Sequence, residues 1–205
     1  MNYELTETEE RKNIGTAGYI DVETTGFSPI KDEIVEFAIS LFQFDRHTGE
    51  VKGIIEEYTG LRESAIHIPS GASKVHGITD VDVQGKFLDD KKIIQLINCC
   101  EFLVSHNASF DRGFVSRMYP INKSIPWLCS MNGINWYAKG FSSKGLQKLL
   151  IAHGIKPQRA HRAGDDVKMS IKLLSLSGTG GRTYLRELLD KLPQKVKRSI
   201  KNYNE

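Results

Sequence analysis

One change of period along the chain limits what it can fold into. In the first part, apolar residues alternate or cluster in strand-length runs at residues 17–22, 33–42 and 51–58, with Thr48-Gly49-Glu50 as a turn between the last two. Three such runs on short connections form an antiparallel meander. After an irregular stretch containing Pro69 and Gly71, the spacing turns helical. Ile93, Ile94, Ile97 and Cys100 follow it, and Phe102-Leu103-Val104 suits a short buried strand. Phe110, Phe114, Val115 and Met118 then share one stripe, which stops before Pro120. Leu146, Leu149 and Leu150 repeat the pattern ahead of Gly154, a C-capping glycine. Val167, Ile171 and Leu174 begin a further helix, and a polar connector at residues 175–181 leads to an amphipathic segment with Leu185, Leu188 and Leu189. A meander followed by alternating helix and strand predicts one mixed sheet with helices against it, α/β in class.

The 205 residues suit one domain with a short appendage. Residues 1–16 read as a mobile tail, 17–176 as the main domain, and 177–205 as a helical, basic C-terminal appendage. Its basic run, residues 191–201, reads first as a solvated tail and second as a phosphate-contacting arm. A net charge of +3 does not by itself announce nucleic acid. Cys99, Cys100 and Cys129 are too few and wrongly spaced for a disulfide framework or a cysteine zinc site, and are expected to be reduced and packed. The acidic, polar start of the chain is unlike a signal peptide, and no apolar run reaches membrane-spanning length. A cytoplasmic protein without membrane contact is expected, and no feature sets its oligomeric state.

The first candidate for chemistry is Asp21-Val22-Glu23-Thr24-Thr25-Gly26-Phe27, directly after a strand-like run. Side chains alternate across a strand, so Asp21 and Glu23 share a face and Val22 takes the other. Adjacent acids repel unless a cation lies between them, yet solvated surface acids would give the same pattern. Ser105-His106-Asn107-Ala108-Ser109-Phe110-Asp111 lies where the buried run gives way to a helix, and the helix dipole alone could favour Asp111 there. His161-Arg162-Ala163-Gly164-Asp165-Asp166 also opens a helix, where either aspartate could simply cap.

Taken in order, D-x-E-T-T-G, H-N-A-x-F-D and H-x-A-x-x-D resemble the three motifs of the DEDDh (DnaQ-like) 3′–5′ exonucleases. This family includes the proofreading epsilon subunit of bacterial DNA polymerase III. Val75-His76-Gly77-Ile78-Thr79 resembles the segment between its first and second motifs. The resemblance covers about residues 17–176 and implies an exonuclease domain. The fold it implies is a ribonuclease-H-like mixed sheet with an initial three-strand antiparallel meander, flanked by helices. It implies that Asp21, Glu23, Asp111 and Asp166 are metal ligands and that His161 is the general base; family spacing selects Asp166 over Asp165. Thr24, Phe27 and His76 match positions that contact the 3′-terminal nucleotide, with Phe27 as an apolar wedge. His106 and Asn107 are expected to line the site, although helix capping accounts for Asn107 equally well. Two departures stand out. Leu128-Cys129-Ser130 replaces an Asp-Thr pair of many relatives, and residues 69–74 lack an acid found in some epsilon-like members.

The implied chemistry needs these residue types. A phosphodiester repels nucleophiles until its charge is neutralised, and two divalent cations about 4 Å apart can do so. Mg²⁺ or Mn²⁺ takes oxygen ligands, and four carboxylates suit two ions. Asp21 is expected to bridge them, Glu23 and Asp166 to hold the ion nearer the nucleophile, and Asp111 to support the other. Histidine, with an unperturbed pKa of about 6.5, suits proton removal near neutral pH. The expected partner is the 3′ end of single-stranded nucleic acid, DNA favoured over RNA, with a DNA polymerase as a further candidate partner. RNA 3′-end trimming is the alternative activity. A non-catalytic nucleic-acid-binding module would be expected to lack at least one of the five residues, and a phosphatase nucleophile at Asp21 would call for D-x-D.

Overall fold

The computed structural model describes residues 13–121, 125–156, 161–178 and 180–193. Strand β1 (Ile14–Thr24) pairs antiparallel with β2 (Ile34–Asp45), and β2 pairs antiparallel with β3 (Val51–Leu61). Nearly every residue of β2 is buried, because it has a strand on each side and helices over both faces. Strands β4 (Leu103–Ser105) and β5 (Trp127–Cys129) run parallel to β1 and complete the order β3-β2-β1-β4-β5. The mixed sheet with its initial meander is the expected architecture. Two details differ from the pattern: β1 starts at Ile14 instead of residue 17, and β5 is too short for periodicity to reveal.

Helices fill the two faces unequally. α3 (Asp90–Asn98) and α4 (Ala108–Met118) cover one side, where Ile93, Leu96, Ile97, Phe114 and Val115 pack on Ile20, Val22, Phe37 and Ile39. The other side carries α6 (Leu146–Ala152), α7 (Ala163–Ser175) and α8 (Tyr184–Leu189). There Leu150, Val167, Ile171 and Leu185 join Ala17, Tyr19, Ala38 and Phe42. Fully burying one such side chain contributes about 1.5–3 kcal/mol. Helix α8 shares this core, so the segment expected as an appendage packs on the domain from Tyr184 to Leu192. The N-terminal tail through residue 12 and the basic run from residue 194 lie outside the described residues.

The segment expected to be irregular around Pro69 holds two short helices, α1 (Ser70–His76) and α2 (Asp80–Val83). Thr79 and Asp82 form a reciprocal capping box that starts α2. A register shift places Glu23 opposite Glu36 but Thr24 opposite Ile34, leaving Val35 as the extra residue of a bulge. Val35 then packs with Ile68, Ile78 and Val83, which ties the α1–α2 cap to the end of β1. A one-turn helix, α5 (Ser130–Gly133), follows β5 directly. The three cysteines are free as expected, but Cys99 is exposed rather than packed, because helix α3 ends at Asn98 and turns it outward.

Candidate active site

Strand alternation puts Tyr19, Asp21 and Glu23 on the α7 side of β1, and Ile20 and Val22 on the other. Tyr19 is buried in the core, while Asp21 and Glu23 are half-buried at the end of the strand. Helix α4 starts two residues beyond β4 and brings Asp111 up beside β1. Its Oδ1 accepts the Val22 amide proton at 3.3 Å, and the side chain is buried. Helix α7 supplies Asp166 from its first turn, with His161 in the loop just before it. The ligand atoms of Glu23, His161 and Asp166 all lie within 4.8 Å of one another. Asp165 does not join that group.

The carboxylates crowd one another. Burial, then the charges of Asp111, Glu23 and Asp166, push Asp21 well above the usual carboxylate range. Burial and the neighbouring Asp166, Glu36 and Asp111 charges raise Glu23 to about 8. Asp111 rises to about 7 because its burial outweighs the amide protons it accepts. Burial also raises Asp166, opposed by a hydrogen bond from Gln147. Four such groups cannot all ionise near neutral pH without a positive charge among them. Among the described residues the Arg162 guanidinium lies near them but is committed: it donates from Nε at 3.1 and 3.2 Å and from Nη2 at 2.6 Å to Glu36. A set of crowded carboxylate oxygens with one imidazole therefore fits hard divalent cations.

Second contacts fix the directions of these groups. Asp166 Oδ1 accepts from Gln147 Nε2 at 2.8 Å, and Oδ2 accepts the His161 amide at 3.1 Å. His161 has φ 59°, in the left-handed region, which costs a non-glycine residue about 1–2 kcal/mol. Its ring is exposed toward Glu23 and Asp166. Gly164 lets α7 approach the sheet closely, since a Cβ there would lie 2.7 Å from Thr59 Oγ1 on β3.

The expected substrate contacts are placed less uniformly. Thr24 is buried, and its hydroxyl donates to the Gly26 carbonyl at 2.6 Å. This turn holds Phe27 outward at 90% exposure, with its ring edge-on to Phe110 at 6.5 Å. Gly26 suits this turn, because a Cβ would lie 2.6 Å from the Asp32 carboxylate, which accepts the Ser28 amide and would have to move. His76 ends α1 and is buried; its Nδ1 accepts the Ile78 amide proton at 3.0 Å. The ring proton therefore sits on Nε2, which is buried beside the Thr24 backbone. Asn107 is exposed at the start of α4 and accepts from the Ser109 hydroxyl at 3.3 Å.

His106 turns inward. Its Nε2 bonds to the Lys144 carbonyl at 2.7 Å and its Nδ1 to Ser130 Oγ at 3.0 Å, so neither ring nitrogen is left for a nucleotide. Glu36, Arg162 and Gln147 are the site residues that motif spacing passed over. For Glu36 a signal existed: a carboxylate in the middle of an apolar buried strand must have a partner.

Residues 19–174 match the RNase_T family, described as Exonuclease. The chain is 32% identical over 165 residues to the DNA polymerase III subunit epsilon of Treponema pallidum, covering 76% of this chain and 73% of the relative. Other matching relatives, PolC-type DNA polymerases III, are far longer, and the chain spans 11% of their length. Among solved structures, E. coli Exonuclease I in complex with a dT13 oligonucleotide superposes with a TM-score of 0.63 at 18% identity. That likeness covers 78% of this chain and 40% of the other. The nuclease domain of 3′hExo, a DEDDh family member bound to rAMP, gives a TM-score of 0.57 at 18% identity, covering 82% of this chain and 97% of that domain.

Proposed function

Because the chain belongs to the RNase_T exonuclease family and is a DnaQ-like 3′–5′ exonuclease, we propose that it releases 5′-mononucleotides from the 3′ end of single-stranded DNA. The observation that carries this reading is the meeting of Glu23, His161 and Asp166, beside Asp21 and Asp111, at the end of one strand. These four acids are the proposed holders of two Mg²⁺ or Mn²⁺ ions. Bound there, such ions neutralise the phosphate and the charge that develops on the attacking and leaving oxygens. His161 takes a proton from the attacking water. The water oxygen bonds to phosphorus, and the bond from phosphorus to the 3′ oxygen of the preceding nucleotide breaks. That oxygen gains a proton and becomes the new 3′ hydroxyl.

Phe27 and His76 have the right chemistry to define the strand end. The exposed ring offers a stacking face for the last base, and the buried His76 Nε2–H offers a donor beside the Thr24 backbone. DNA is favoured by the likeness to a DNA polymerase III subunit, and a polymerase is the proposed protein partner on the same ground. Digestion of matched 3′-labelled DNA and RNA oligonucleotides, with Mg²⁺, Mn²⁺ or EDTA, tests the proposal. Stepwise shortening of DNA that stops with EDTA and in Asp21→Asn supports it. Preferential shortening of RNA overturns the substrate assignment, and activity retained in Asp21→Asn overturns the site.

A further inference from the structure

We propose that Glu36 and Arg162 form a positioning clamp whose task is to aim His161 at the reacting water. The proposal rests on the exonuclease reading of the site and adds two residues to it. Glu36 lies in the apolar run of β2 and is 2% exposed. A carboxylate so buried must be fully partnered, and its partners are the two residues that follow His161. Arg162 grips both carboxylate oxygens through a planar fork, with contacts of 2.6–3.2 Å. The Ala163 amide donates to Oε2 at 2.9 Å, in the same stroke tying the start of α7 to β2.

The clamp matters because His161 has little else to hold it. Among the described residues no hydrogen bond to the ring orients the imidazole, so its direction follows from its backbone. That backbone is in the left-handed region, which a side chain of this size keeps only when its surroundings determine it. Asp166 fastens the His161 amide on one side, and Glu36 fastens Arg162 and Ala163 on the other. Arg162 touches no reacting atom in this scheme; it acts through the residue before it. Lysine is a poor substitute, since it lacks the fork that engages two oxygens at a fixed angle.

The test is a double-mutant cycle on kcat and KM, using a single-stranded oligonucleotide at saturating Mn²⁺. Arg162→Ala should lower kcat about a hundredfold, the scale expected when a catalytic group is misplaced by about 1 Å. KM should stay within about twofold, because substrate contacts are elsewhere. In a His161→Ala background the same substitution should change kcat by less than about twofold, since a residue that acts through His161 has nothing left to aim. Arg162→Lys should recover only part of the loss. Glu36→Gln gives the cycle a second entry that keeps the side-chain shape, and thermal melting of each variant reports whether it folds. An equal kcat loss in both backgrounds, or a loss carried by KM, overturns the clamp while leaving the exonuclease reading intact. A wild-type protein without nuclease activity overturns both.

Discussion

Glu36 stands directly opposite Glu23 across the β1–β2 ladder, yet the two carboxylates have different companions. Glu23 lies with Asp166 and His161, and its charge is opposed only weakly, by Arg162. Glu36 holds the Arg162 guanidinium and the Ala163 amide. Among the described residues, Arg162 thus separates Glu36 from the other four acids. Glu36 is ion-paired inside the protein, whereas the other four crowd together and are pushed toward their protonated forms.

Asp166 is oriented from both sides, and one of those contacts is open to mutation without touching a proposed metal ligand. Gln147 on α6 donates to its Oδ1 at 2.8 Å. Partners of this kind set the direction and basicity of a metal-binding carboxylate, and losing one typically costs about 10–100-fold in metal affinity. Gln147→Ala should therefore raise the Mg²⁺ or Mn²⁺ concentration that gives half-maximal activity by about tenfold or more. Rates at saturating metal should recover toward wild type, and a metal titration of initial rate reads both quantities.

His106 tests a different assignment. With Nε2 on the Lys144 carbonyl and Nδ1 on Ser130 Oγ, it joins the start of α4 to the segment that leads into α6 and Gln147. The hydroxyl of Tyr19 meets the same serine at 3.1 Å, so this latch reaches β1 below Asp21. His106→Ala leaves buried polar groups unpaired, which costs about 1–3 kcal/mol for each such group. The expected result is a clear fall in melting temperature, with KM for a short oligonucleotide little changed. A residue that contacts substrate would show the opposite pattern.

How much of this was legible depended on what each residue does. Asp21 and Glu23 share a face by strand alternation alone, and the meander follows from runs long enough to show a period. The ordered motifs placed Asp111, His161 and Asp166 at helix starts, which is where the structure has them. Glu36, Arg162 and Gln147 belong to no spacing rule, since their partners lie 19 to 127 positions away in the chain. His106 was misleading for a physical reason: a polar residue in a motif can serve the fold beneath a site as well as the site. Strand β5 has three residues and α2 has four, too few for periodicity, although Thr79-Asp80-Val81-Asp82, a threonine with an acid three residues on, carried a capping signal for α2.

Phe27 offers the cleanest separation of binding from stability. It is 90% exposed, and its ring lies edge-on to Phe110. Surface positions of this kind change stability by about 0.5 kcal/mol or less. Base stacking on an aromatic ring is worth about 1–3 kcal/mol, so Phe27→Ala should raise KM for single strands by about fivefold or more. Melting temperature should stay near that of the wild type. A large drop in melting temperature would assign the ring to the fold instead of the substrate.

The crowded carboxylates also make stability depend on pH in an unusual direction. In the metal-free protein Glu23 is raised to about 8 and Asp111 to about 7, whereas in an unfolded chain both titrate near 4. Between those values the folded state binds more protons than the unfolded state, so stability falls as pH rises through the window from about 4 to about 8. This contribution is fully present below pH 4 and gone above the folded-state values, opposite to the behaviour of a carboxylate paired with arginine. Divalent cations displace those protons, so binding at pH 7 should release protons to the buffer. Calorimetry of Mn²⁺ binding in buffers of different ionisation enthalpy measures that release. The rise in melting temperature on adding saturating Mn²⁺ should be larger at pH 8 than at pH 6, because at pH 6 the metal must compete with protons for the same oxygens. An equal rise at both values, with no protons released, would mean that the four acids are already ionised without metal.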